Sequence, residues 1–169
     1  MPEYVLAPVD DEICLRIGRV VTRWTVLEKS ISLLLGTALL ADQSAMSVVT
    51  SGVSISTQTK WIRTLLNSHE HEAEQNKPVL ELLNRVDDLR QERNELVHGM
   101  WDPSGCEPGT SQVTTTNLDR TEIMRTRLVT TQDLDDLCHE IDMWIEEYVA
   151  LGRKLNFPRN RGELYSMFR

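Results

Sequence analysis

The sequence predicts an all-α protein: an antiparallel helical bundle with a small β-hairpin or loop insertion before its last long helix. Three long stretches, residues 13–40, 77–98 and 131–151, repeat apolar residues every three to four positions, the spacing of a buried helix face. Short connections between successive elements favour antiparallel neighbours. Apolar content of 40% with aromatics at 5% suits a core packed with Leu, Val and Ile. At 169 residues the chain has room for one domain with a proper core and is too short for two comfortable ones. The expected organisation is therefore a single helical domain over residues 1–169. It has an extended lead-in over 1–9, an insertion over 101–129 and a tail over 153–169.

The lead-in carries Pro2 and Pro8, and Asp10, Asp11 and Glu12 then set negative charge at a helix start, where it suits the dipole. The first long helix follows, with its stripe at Ile17, Val20, Val21, Trp24, Leu27, Ile31, Leu34, Leu35 and Leu39. Asp42 is a candidate N-cap for a short helix closed by Gly52. Ser54 or Ser56 opens a third helix through Trp61, Ile62, Leu65 and Leu66. His69-Glu70-His71-Glu72 has no i, i+4 histidine pair and no further ligand partner, so it reads as a solvated loop. The helix over 77–98 carries Val79, Leu82, Leu83, Val86, Leu89, Leu96 and Val97.

Turn residues then gather at Trp101-Asp102-Pro103-Ser104-Gly105 and Glu107-Pro108-Gly109. Residues 111–116 and 124–129 are rich in Thr and Val and pair as a short hairpin, the alternative being a polar loop. Arg120, Arg125 and Arg127 make the insertion locally basic; they are candidate RNA contacts or, equally, solvated strand-edge charges. Thr130 or Thr131 caps the last helix, with its stripe at Leu134, Leu137, Ile141, Trp144, Ile145, Tyr148, Val149 and Leu151. The tail mixes Arg159, Arg161 and Arg169 with Leu164, Tyr165 and Phe168 and is open to docking, partner contact or disorder.

Cys14, Cys106 and Cys138 are odd in number and lack CxxC spacing, so neither a zinc site nor a disulfide framework is expected. No basic-then-apolar leader and no uninterrupted apolar run is present, which points to a cytoplasmic protein off the membrane. The net charge of −8 argues against a broad nucleic-acid-binding surface. Any RNA contact must be local, with a few arginines around one cleft.

The stretch Arg93-Asn94-Glu95-Leu96-Val97-His98-Gly99 stands out at the end of its helix. Arg93 occupies a slot in the apolar stripe where leucine is expected, and an unpaired buried guanidinium costs several kcal/mol. It must meet an anion or face a cleft. Asn94 and His98 are four apart and can hydrogen-bond each other. Arg93 and His98 differ by about 140° around a regular helix and so should flank a groove. Gly99 reads as a C-cap. The bland alternative is a polar helix end with a satisfied histidine. Glu28 falls on or near the buried edge of the first helix; it is either a partner for Arg93 or a solvated acid outside the core.

An arginine followed at once by asparagine, and by histidine four residues after that, late in a long helix, resembles the signature of the HEPN superfamily (higher eukaryotes and prokaryotes nucleotide-binding domain). The resemblance implies a small helical bundle acting as a homodimer. It implies a metal-independent endoribonuclease with no cofactor, leaving 2′,3′-cyclic phosphate and 5′-hydroxyl ends, in a toxin–antitoxin or antiviral defence system. Two motif helices would then meet to share one RNA site, with an antitoxin or another defence protein as a further partner. His98 would transfer protons, Arg93 would hold the phosphorane charge, and Asn94 would orient the histidine or donate to phosphate. Where one toxin branch has a tyrosine two residues after the histidine, this chain has Met100, so control by modifying that tyrosine is not implied. The rival class is a catalytically inactive dimeric adaptor or nucleotide- or RNA-binding module.

Overall fold

The computed structural model describes residues 9–39, 41–68, 73–116 and 124–154. The lead-in before Val9, the stretch His69-Glu70-His71-Glu72 expected as a solvated loop, Arg120 and the tail from residue 155 lie outside the described residues. The described residues are mostly helical, 74% of them in five helices, with one small antiparallel sheet, so the fold is not purely all-α. In chain order the elements are α1 (Asp11–Ala38), α2 (Gln43–Thr50), α3 (Ile55–Asn67), α4 (Ala73–His98), β1 (Met100–Asp102), β2 (Thr110–Thr116), β3 (Met124–Thr130) and α5 (Thr131–Lys154). No helix among the described residues is long and apolar enough to cross a membrane.

The described residues fall into two compact units. One holds 9–24, 88–116 and 124–142, and the other holds 25–39, 41–68, 73–87 and 143–154. The divisions fall inside α1, α4 and α5.

In the second unit, local caps set the short helices. Asp42 accepts from the Ala45 amide and Ser54 from the Thr57 amide, as their residue types dictate. Gly52 turns the chain between them at a φ of 74°, a conformation open to glycine without a side-chain clash. α4 begins at Ala73, four residues before the expected start at Lys77, so Pro78 lies inside the helix. Proline has no N–H for the carbonyl one turn back, and the apolar pattern alone therefore marks the helix only from Lys77. Arg63 ties α3 to α4, donating from Nη2 to the Leu83 carbonyl and the Asp87 carboxylate, both at 2.8 Å. The Trp144 indole, fully buried, donates to the Leu82 carbonyl at 2.9 Å and stacks on Tyr148, with centroids 5.6 Å apart. That stack is deep in apolar surroundings, and burial pushes the Tyr148 phenol up to about 12.

In the first unit, Arg16 bonds Asp135 at 2.9 Å and Arg23 pairs with Asp142 at 3.2 Å. Each step of seven residues on α1 is matched by seven on α5, so the two helices run in the same direction here. α5 opens on a reciprocal capping box: Thr130 Oγ1 accepts from the Asp133 amide at 3.1 Å, and Asp133 accepts from the Thr130 amide at 2.7 Å.

The expected hairpin is present, with Thr110 opposite Thr130 and Thr116 opposite Met124. A third strand extends it: β1 pairs with β2 from Met100–Thr114 to Asp102–Gln112. Sequence reading took Trp101 and Asp102 as turn residues, because a three-residue strand is too short to show alternation. One sheet face carries Val113 and Val129, both buried. The other carries Met100, Met124 and Leu128, which are 58%, 66% and 57% exposed.

Candidate active site at the end of α4

α4 is seated in the first unit by Leu89 and Leu96, both buried. Arg93, one turn from each, is half-buried, as its place in the stripe requires. Its guanidinium carbon lies 5.8 Å from the ring centroid of Trp24, itself 2% exposed. A cation held over an indole face is worth about 0.5–2 kcal/mol, more as water is excluded. The Arg93 Nε is buried without a hydrogen-bond partner, so the indole face carries part of the compensation.

The outer end of the guanidinium gathers the motif. Arg93 Nη1 donates to Asn94 Oδ1 at 3.0 Å and meets His98 Nε2 at 3.2 Å. Arginine has donors only, so the histidine must accept; in this contact the ring is neutral with its proton on Nδ1. Helix spacing allowed Asn94 and His98 to bond each other, and Arg93 and His98 were expected to stand apart across a groove. Instead both side chains accept from one arginine nitrogen. The long arginine stem bridges the angle that the helix puts between them.

His98 is exposed, but the turn beneath it is not loose. The Gly99 amide donates to the Glu95 carbonyl at 3.0 Å, and the Trp101 indole donates to the Leu96 carbonyl at 2.8 Å. Gly99 is not the left-handed cap that its position suggests, since positive φ occurs among the described glycines only at Gly52, Gly105 and Gly109. It is glycine for want of space. A Cβ there would run into the Glu95 carbonyl oxygen and the Val113 side chain.

Of the insertion's arginines, Arg127 is committed inward. It lies 3.7 Å from Glu92 and 3.6 Å from Glu95, charge contacts too long for hydrogen bonds, and its Nε and Nη2 are buried without one. Burial pushes the Glu92 carboxyl above the usual range; Arg127 pulls it down, and Glu140, Glu95 and Asp133 push it further up. Arg125 is exposed, and Arg120 lies outside the described residues. Glu28, expected on or near a buried edge, is an exposed residue of α1 in the second unit.

The sequence reading missed the parts of Trp24 and Trp101. Trp24 showed only as one more apolar position in the α1 stripe, and Trp101 was masked by the turn residues after it. Among the described residues no group of three or more His, Cys, Asp or Glu side chains is placed to hold a metal ion. Compared with family models, curated proteins and solved structures, the chain matches none.

Proposed function

We propose that this chain is a metal-independent endoribonuclease of the HEPN type, with Arg93, Asn94 and His98 as its site. The observation that carries the reading is the 3.2 Å contact between Arg93 Nη1 and His98 Nε2 at an exposed helix end. It sets a permanent cation beside a nitrogen lone pair, and RNA cleavage needs both within one phosphate's reach.

A neutral His98 removes the proton of the ribose 2′-hydroxyl, and the freed oxygen attacks the adjacent phosphorus. Arg93 stabilises the charge that builds on the phosphorane oxygens. The 5′-oxygen leaves with a proton from an imidazolium, giving a 2′,3′-cyclic phosphate and a 5′-hydroxyl. One histidine cannot hold both protonation states at once. In a homodimer with the two α4 ends near the twofold axis, the base and acid roles divide between two copies. The first unit gathers the early parts of α1 and α5 with the late part of α4, which suits the antiparallel bundle this reading calls for. A cytoplasmic defence role, with an antitoxin or related protein as partner, completes the proposal.

The rival reading, an inactive dimeric RNA- or nucleotide-binding adaptor, is favoured by the net charge of −8 and by the neutralised Arg127. Incubating mixed RNA with wild type and with His98→Ala, EDTA present, separates the two. Cleavage by wild type alone, with cyclic-phosphate ends, supports the nuclease. Binding without cleavage by either protein supports the adaptor.

A further inference from the structure

We propose that Trp101 is a positioning residue for His98, acting through the backbone of the last turn of α4; its kinetic consequence rests on the ribonuclease reading, while its structural consequence does not. A helix ends with carbonyls that have no amide from a following turn. Here the Glu95 carbonyl accepts from the Gly99 amide and the Leu96 carbonyl from the Trp101 indole. Leu96 is fully buried, whereas His98 is exposed and, among the described residues, makes its side-chain hydrogen bond with Arg93. The imidazole therefore takes its position from the chain beneath it.

That chain is tied on both sides. Before His98 it is held at Leu96 by the indole N–H. After His98 it enters β1, whose ladder sets Trp101 opposite the buried Val113. The close approach of Gly99 to Val113 and Thr115 places the intervening turn directly against β2. The bond from Trp101 reaches from the sheet back to the helix and closes this loop of contacts. Without it the last turn frays, and the imidazole leaves the place where it meets Arg93 Nη1. Misplacing a reacting group by 1 Å costs on the order of 100-fold in rate.

Trp101→Phe keeps an aromatic ring at this position and removes the indole N–H together with the five-membered ring that carries it. Three measurements read the result: amide hydrogen exchange over residues 96–99, the nitrogen spectrum of the His98 ring, and steady-state cleavage of mixed RNA in EDTA. The expected outcome is exchange about 10-fold faster in that turn and unchanged along α5. The Nδ1–H tautomer of wild type gives way to a mixture, and kcat falls about 10-fold with KM nearly constant. Trp101→His, which carries a ring N–H, is expected to recover part of each change, and serves alone should the phenylalanine variant not fold. Unchanged exchange and an unchanged tautomer overturn the proposal, whatever the activity. Faster exchange with kcat unaltered in an active enzyme also overturns it, leaving a merely structural bond. A wild type that cleaves no RNA defeats the ribonuclease reading, and exchange and tautomer still decide whether Trp101 positions the ring.

Discussion

Arg93 donates to His98 across 3.2 Å, and the donor can only be the arginine. The resting site therefore spends its histidine lone pair on its own cation. On the proposed ribonuclease reading, an RNA phosphate that takes up the guanidinium would free the same lone pair for the 2′-hydroxyl, so that binding the anion and arming the base would become one event.

Two substitutions test that coupling. If His98 transfers protons as proposed, His98→Ala is expected to lower cleavage by about 100- to 10,000-fold. Folding should be unaffected, because His98 is exposed. Arg93→Lys keeps the charge and loses the flat fork that reaches Asn94 and His98 together. It is expected to lose most of the activity and some affinity for RNA. Single-turnover cleavage beside thermal unfolding checks both; full activity in either variant removes these residues from the chemistry.

Glu28 was read either as a partner for Arg93 or as a solvated acid outside the core. As an exposed residue it should contribute little, since surface ion pairs are worth about 0–1 kcal/mol. Glu28→Gln is expected to leave Tm within about 2 °C and cleavage near wild type. A large fall in both would restore the supporting role.

Gly99→Ala is expected to cost about 1–3 kcal/mol, the usual penalty of forcing a methyl group into filled space. The added carbon meets a helix carbonyl, which cannot swing aside as a flexible side chain can. Chemical denaturation should show the loss. A change below about 0.5 kcal/mol would mean that α4 and β2 are not packed as described here.

Thr130→Ala removes half of the capping box of α5 and should cost about 1 kcal/mol, or a few degrees in Tm. Cleavage per folded molecule should not change. This variant is the control for loss of stability without damage to the site.

Glu92 gives a pH-dependent expectation. An acid whose folded-state pKa lies above its unfolded value holds its proton more tightly in the fold. Its contribution to stability therefore falls as pH rises from the ordinary carboxylate range through the raised value. Glu92→Gln removes the charge that burial opposes. The variant should be as stable as wild type or more so at pH 7, and should lose that advantage toward pH 4. Urea midpoints across this range test it; an advantage that grows on acidification contradicts the burial argument.

The long helices, the Asp42 cap and the two hairpin strands were legible in the sequence because each rests on local chemistry. Asp42 announces itself by type and position, whereas Ser54 and Thr130 stood beside equal candidates at Ser56 and Thr131. β1 has three residues, which gives alternation nothing to act on, and its partner strand lies eight residues beyond its end. At the site, the motif residues could be named, but their contacts could not. Helix geometry fixes where Cβ atoms point, whereas the arginine stem crosses that angle freely. Part of the need for glycine at position 99 comes from β2, a strand whose approach no pattern around Gly99 records.

Among the described residues, the sheet order β1-β2-β3 leaves β3 without a strand on its outer side. An open edge bearing Met124 and Leu128, both largely exposed, is a template on which another chain can stack, and stacking of this kind propagates into aggregates. Arg125 lies exposed on that strand, between those two apolar residues. A second copy of β3 added there would bring strand arginines close to one another, and like charges in neighbouring strands repel. Arg125 is thus a gatekeeper. Arg125→Val should leave the fold and Tm nearly as they are and sharply reduce the concentration at which the protein stays clear in solution. On this argument, the concentration the protein tolerates is expected to depend on the rim of the sheet, on a residue outside the core and outside the proposed site.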